Sequence, residues 1–465
     1  MKRGLRLRPP DDRRLLLNAF VTNGVSHIYH GLWRHPESRQ TEYKELDTWL
    51  DLALLLERGR FDSLFLADNV GLGGDHRGGW DVRIEEGLHI PINDPTALVA
   101  ALAAATEHLG FVFTSSIVQE HPFSFARRVS TLDHLTPGRI GWDIVTNANA
   151  NAFRNFGLPG LTAHDERYRW ADEYAEVVYK LWEGSWEDDA VRVDRVRGVY
   201  ADPAKVHRID HVGERYRVEG PHLSEPSPQR TPVIHQAGSS SAGRRFAARH
   251  AEVQFIVAAT PEAAADLIDD VRRRAAEAGR RPGDIRFVQG LSFVVGSTEA
   301  EARRKSEEID GLLSLDGLLA HMSGDLGIDL ASLGPDDPID HLRTEGVRGI
   351  VEQVIANAPP GRSATVSDLA DAFSRQTRVV GTPEQIADEI ELWRRVGVDG
   401  INLIYAINPL SFRDFVEQVV PVLQQRGLVQ REYSGGTLRE KLFGGGSRLP
   451  DSHPATAYRR SRARR

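Results

Sequence analysis

Apolar residues follow two periods along this chain. Short continuous runs, bounded by glycine, proline, asparagine or aspartate, occupy residues 15–21, 61–67, 110–115, 139–146, 232–236, 252–257, 286–295 and 400–405. Each reads as a strand buried on both faces. Between and after them, apolar residues recur every three to four positions over 42–58, 95–108, 123–135, 167–182, 242–250, 261–278, 383–396 and 411–426. That is the pattern of helices with one buried stripe. Alternating fully apolar strands with helices implies a parallel sheet covered by helices, and eight strands is the number that closes a barrel. The predicted fold class is α/β: a (β/α)8 TIM barrel with insertions. An open doubly wound sheet is the runner-up, but no strand is followed by G-x-G-x-x-G. The glycines of Gly71-Leu-Gly-Gly74 and Gly444-Gly-Gly446 have neither the spacing nor the helix behind them.

Three stretches exceed a plain barrel. We expect one barrel domain over residues 1–430, insertions at about 184–230 and 312–378, and a C-terminal extension over 431–465 with a disordered basic end. The second insertion joins a helical, partly apolar run at 346–357 to the loop Pro359-Pro-Gly-Arg362, as a covering flap would. The basic end, Tyr458-Arg-Arg-Ser-Arg-Ala-Arg-Arg465, reads as a frayed, solvated terminus rather than a binding tail.

Composition narrows the chemistry. With no cysteine among 465 residues, thiolate nucleophiles, disulfides and thiolate metal sites are excluded. No apolar run reaches a membrane span, and the charged start carries no secretory signal, so a cytoplasmic protein without a membrane partner is expected. A net charge of −8 with dispersed Lys and Arg gives no stripe for nucleic acid.

In a β/α barrel the working residues sit where strands run out into the following loops. Here those points are polar: Asp68 after the second strand, Thr114-Ser-Ser116 on the third, Thr146-Asn-Ala-Asn149 on the fourth, and Gln236-Ala-Gly-Ser-Ser-Ser241 leading from the fifth into a helix. The last turn suits a phosphate: Gly238 permits a tight turn, and helix-start N–H groups stand beside serine hydroxyls, with Arg244 and Arg245 one turn on. A plain serine N-cap explains the same residues. Gly381-Thr-Pro-Glu384 is explained by capping alone. The spacings His27-x-x-His30 and His207-x-x-x-His211 could suit a metal, but neither pair has an obvious third ligand. Hydrogen bonding to a cofactor or a leaving oxygen is the better use for His27, His30 or His164. Tyr29-His-Gly-Leu-Trp33 offers an apolar wall for a flat ring, or simply packing over the mouth.

With these residues laid out, the chain resembles the luciferase-like flavin monooxygenases, in the branch of nitrilotriacetate, EDTA, dibenzothiophene-sulfone and long-chain alkane monooxygenases. The resemblance rests on Trp33-Arg-His-Pro36, Asp94-Pro95, His121-Pro-Phe, Ala126-Arg-Arg128, Thr131-Leu-Asp-His134, Gly138-Arg-Ile-Gly-Trp142 and Asn155-Phe-Gly157. It continues through Arg167-Tyr168, Gln236-Ala-Gly-Ser-Ser240, Gly381-Thr-Pro383 and Thr437-Leu-Arg-Glu440, in order over nearly the whole chain. It implies a luciferase-like barrel that takes reduced FMN from a separate NAD(P)H-dependent flavin reductase. It also implies reaction with O₂ to a C4a-(hydro)peroxyflavin, oxygenation of a small organic substrate, and a homodimer or homotetramer. The absent dinucleotide fingerprint agrees with a separate reductase. The family's FMN contacts fall on Asp68, Thr114, His164 and Tyr168, with the phosphate at Ser239 and Ser240.

One departure stands out: relatives commonly read Gly-Trp-Asn where this chain has Gly141-Trp-Asp143. An amide both donates and accepts, whereas an ionised carboxylate only accepts, so a contact to a flavin carbonyl would be lost or require protonation. Water must be kept from such chemistry. Trp33, Phe111 or Phe113 and Trp142 are the expected walls, residues 312–378 the expected lid, and His27, His30 or His321 the candidate acids. Two other readings stay open: a hydride-transfer enzyme of the same fold using the deazaflavin F420, and a non-catalytic flavin-binding protein.

Overall fold

The computed structural model describes residue 7 and residues 13–460, apart from 75, 343–350, 352–353, 356–357, 360 and 376. Eight parallel strands close on themselves: β1 (Leu16–Thr22), β2 (Ser63–Ala67), β3 (Gly110–Ser116), β4 (Ile140–Val145), β5 (Val233–Gln236), β6 (Val253–Ile256), β7 (Arg286–Val295) and β8 (Gly400–Ile404). Each pairs with the next, and β8 pairs with β1 to close the ring. This is the expected barrel, with every expected strand in place. A further parallel strand, Arg378–Gly381, lies on the upper half of β7. It was not expected, because four residues emerging from a long insertion carry too little pattern.

Alternation along each strand divides the molecule into two apolar layers. Leu16 and Phe20 of β1 face the barrel interior with Phe65, Val112, Phe255 and Ile404, whereas Leu15, Leu17, Ala19 and Val21 pack outward under the helices. The same rule corrects one expectation. Trp142, Phe111 and Phe113 belong to the outer layer, where Trp142 lies 4.5 Å from Phe125 and 6.0 Å from Tyr174, ring centre to ring centre. They wall the sheet–helix interface, not the barrel mouth. Interior rings at the mouth come instead from Phe20, Phe65 and Phe255, packed at 4.9–6.1 Å.

Helix starts follow their local chemistry. Thr260 caps Pro261–Glu277 by accepting from Ala263 N–H, and Thr382 with Gln385 forms a reciprocal capping box before Pro383–Arg395. The first insertion folds into two small hairpins, Val191–Asp194 with Val199–Ala201 and His211–Val212 with Arg217–Val218. The second carries helices Leu315–Leu326 and Val366–Arg375 around a separate apolar cluster that includes Met322, Leu326, Leu330, Ile339 and Leu369. Most of the run 346–357 lies outside the described residues, as do the last five residues of the basic end. No helix among the described residues is long and apolar enough to cross a membrane.

The C-terminal extension is woven into the bottom of the barrel. Helix Leu438–Phe443 is capped by Thr437 and places Leu438 and Leu442 in the interior cluster. Its Arg439, 2% exposed, forms a two-pronged pair with Glu252 at 2.7 Å and donates to the carbonyls of Thr231 and Pro232.

Candidate active site

Two clusters of polar side chains lie on neighbouring strands of the barrel's top, at the C-terminal ends of the strands. The first forms where β5 runs into helix Ser241–His250. A side chain at Gly238 would stand 2.5 Å from Tyr168 Oη and 3.0 Å from Gly243 Cα, so only glycine lets the turn approach so closely. Ser240 caps the helix, its hydroxyl accepting from Gly243 N–H at 3.1 Å, and the same hydroxyl meets His164 Nε2 at 3.1 Å. His164 opens helix His164–Tyr179, so Tyr168 follows one turn later on the same face, with the two rings 5.2 Å apart. Burial raises the Tyr168 phenol, which also hydrogen-bonds Ser240. His164, Tyr168 and Ser240 are thus one cluster, with Ser239 beside it. Arg244 turns back to the Ser239 carbonyl at 2.7 Å and to Asp270 at 3.3 Å, and Arg245 meets the Ser241 hydroxyl at 2.9 Å. Positive charge at this turn therefore comes from the helix start and not from a guanidinium aimed into it.

The second cluster lies on β2, β3 and β4. Asp68 accepts from Asn69 N–H at 2.9 Å and from Gln119 Nε2 at 3.2 Å, and burial pushes its carboxyl up to about 6. Thr114 donates to Asp143 Oδ2 at 2.8 Å. Asp143 is 4% exposed and also pushed up to about 6 by burial, and its Oδ1 has no hydrogen-bond partner among the described residues. No hydrogen bond or ring contact joins Asp68 or Thr114 to the Ser240 cluster; the two sets occupy different strands of one rim.

A third group closes over the mouth. His30 Nδ1 lies 2.6 Å from Ser26 Oγ and its Nε2 lies 2.8 Å from Nδ1 of His321, which helix Leu315–Leu326 brings from the second insertion. Ser314 N–H donates to the His30 carbonyl at 3.0 Å, Ser314 Oγ to Glu86 at 2.8 Å, and Arg83 to the Ala320 carbonyl. These bonds seat the insertion on the barrel. His27 packs 4.6 Å from Phe20 and 6.2 Å from Tyr405. Burial holds His27 down to about 3 and His30 and His321 well below the ordinary range, so all three are neutral at pH 7. The pairings His207–Glu187 at 3.0 Å and His211–Glu173 at 3.3 Å occupy the other spaced pair.

Three residues of the mouth escaped the sequence reading. His89 donates from Nε2 to the His27 carbonyl at 3.1 Å and packs 4.8 Å from His321. Gln119 holds Asp68. His235 points into the barrel beside Asp143, 1% exposed, with neither ring nitrogen partnered among the described residues and its pKa held to about 3 by burial. Only His235 had a legible signal, since it lies within the fifth apolar run immediately before the rim.

The arrangement fits a flavin nucleotide. The glycine cradle, serine hydroxyls and helix start suit the phosphate. Buried acceptors and donors without partners, Asp143 Oδ1 and the His235 ring among them, suit the polar edge of a heteroaromatic ring, and Phe20 and Phe255 suit its faces. Comparison with known proteins agrees. Residues 28–400 match the pattern of the luciferase-like monooxygenase family. The chain is 47% identical over 449 residues to the long-chain alkane monooxygenase of Geobacillus thermodenitrificans, covering 96% of this chain and 98% of that protein. It is 43% identical to the dimethyl-sulfide monooxygenase of Hyphomicrobium sulfonivorans, covering 96% and 94%. A crystal structure of riboflavin lyase with modified FMN and riboflavin superposes with a TM-score of 0.90 at 40% identity, covering 97% of this chain and all of that one.

Proposed function

The chain belongs to the luciferase-like monooxygenase family, and from that premise we propose that it is the oxygenating component of a two-component system. In this reading it takes reduced FMN from a separate NAD(P)H-dependent flavin reductase and adds one oxygen atom of O₂ to a small organic substrate. The supporting observation is the seat at Gly238–Ser240, where a phosphate would meet hydroxyls, N–H groups and His164 together. When bound, reduced flavin supplies the two electrons that divide O₂ between the product and water.

The chain's own residues bind, orient and exclude. Ser239 and Ser240 hold the phosphate, His164 and Tyr168 flank it, and Asp68 and Thr114 reach the ring from the neighbouring strands of the same rim. His27, His30 and His321 are assigned to the covered side, where neutral imidazoles offer hydrogen bonds and exchange protons with the oxygen being transferred. The second insertion keeps bulk water out. We also assign the enzyme to the cytoplasm, on composition, and to a homodimer or homotetramer, on resemblance.

The test is anaerobic titration of the protein with reduced FMN, followed by oxygen-uptake assays with a flavin reductase and NADH on sulfur, amine and hydrocarbon compounds. Binding of reduced FMN and substrate-dependent product formation are expected. A folded protein that does not bind reduced FMN would overturn the reading.

A further inference from the structure

The buried carboxyl of Asp143 is built unlike any other acid of the mouth. It sits on the inward face of β4, in one row with Thr114 of β3 and His235 of β5. Thr114 gives it one hydrogen bond, from a neutral hydroxyl. Its second oxygen is buried and unpartnered, and no described cation is paired with it. His235 does not supply that cation: neither ring nitrogen has a partner among the described residues, its ring packs 5.6 Å from Phe65, and burial keeps it neutral. The other ionisable groups of the mouth are engaged elsewhere, Asp68 with Gln119 and Asn69, Tyr168 with Ser240, and His27 against Phe20. An isolated carboxylate in such a place is strongly disfavoured, and a neutral carboxylic acid is the form that the surroundings tolerate.

We propose that Asp143 works as a neutral acid, its free oxygen carrying the proton and donating a hydrogen bond to an acceptor on the flavin ring, so that protonation of Asp143 is a condition of tight flavin binding. This rests on the flavin reading above and adds to it a positioning residue and a pH dependence. The sign follows from linkage. Flavin selects the protonated form, so affinity is full at low pH and falls as pH rises through the carboxyl's value of about 6. The ring-facing role also explains why Thr114 donates to Oδ2: that bond fixes the carboxyl plane and leaves Oδ1 to the ligand.

The experiment is a fluorescence titration with riboflavin between pH 5.5 and 8, on the wild type and on Asp143→Asn and Asp143→Ala. Riboflavin is the probe because the FMN phosphate itself titrates near pH 6. In the wild type, affinity is expected to fall by roughly 30-fold or more across this range, as one required proton dictates. Asp143→Asn, whose amide donates at every pH, should bind with a much shallower profile, the remainder being that of Asp68. Asp143→Ala should bind weakly and with the same shallow profile. Circular dichroism confirms that each variant is folded. A flat wild-type profile, a rise of affinity with pH, or an unchanged slope in Asp143→Asn would each overturn the inference while leaving flavin binding intact. No binding of riboflavin at any pH would overturn this inference, whereas the flavin reading itself is decided separately by the titration with reduced FMN.

Discussion

The two ends of the barrel treat buried polar groups in opposite ways. At the bottom, Arg439 meets Glu252 through two nitrogens and fills its remaining reach with backbone carbonyls. Nearby, Asp133 accepts from both the backbone and side chain of Gln229, and Arg139 donates to Thr106, Leu109, Ala103 and Thr136. At the top, Asp143 Oδ1, His27 Nδ1 and both nitrogens of His235 are buried without partners among the described residues. Leaving such an atom unpaired costs about 1–3 kcal/mol. A fold that gives each of these buried charges a partner at one end, and leaves whole side chains such as His235 without one at the other, stabilises itself from below and keeps its binding capacity above.

The largest expected effect comes from breaking the saturated end. Arg439→Met leaves Glu252 as an unpaired buried charge and should cost about 3–5 kcal/mol of stability, read by denaturant unfolding. The folded fraction should bind flavin as before. Adding Glu252→Gln should recover part of the loss, because the charge is removed with its partner.

The next effect separates two parts of the unsaturated end. Replacing Ser239 and Ser240 together by Ala should weaken FMN about tenfold, worth about 1.4 kcal/mol, and riboflavin much less, by equilibrium fluorescence. Equal weakening of both ligands would assign the serines to capping alone. The lost cap should lower stability by about 1 kcal/mol.

The smallest effect concerns acid. His235 is held to about 3 in the fold, against an ordinary value near 6.5, so the unfolded chain binds the extra proton between those limits. Its contribution to stability is complete above pH 6.5 and is lost as pH falls below it. His27 and His89, held to about 3 and about 4, act in the same sense. Asp68 and Asp143, raised to about 6, oppose them between pH 4 and 6. The histidines should prevail, so unfolding free energy should fall from pH 7.5 to 5.5. His235→Gln should reduce that fall by about 1 kcal/mol. An unchanged pH slope would remove His235 from the account.

Much of the scaffold was legible in the sequence because parallel strands are apolar on both faces and announce themselves as runs. The rim residues Asp68, Thr114, Ser239 and Ser240 were legible for a related reason: polar residues interrupt those runs where strands end. What was not legible depends on register between distant segments. Trp142 looked like a wall of the site because the resemblance drew attention to its motif, but alternation turns it outward and gives the inward places to Gly141 and Asp143. The row Thr114, Asp143, His235 joins strands up to 121 residues apart and exists only after pairing. His89 meets His321 only because the second insertion folds back over the mouth.

The placement of Arg439 has a consequence for how the chain is made. Its partner Glu252 leaves the ribosome 187 residues earlier, and β1 waits still longer for β8. A product cut short before Arg439 therefore carries a buried acid whose charge lacks its partner, and its barrel is less stable than the finished one by at least the cost of that lost pairing.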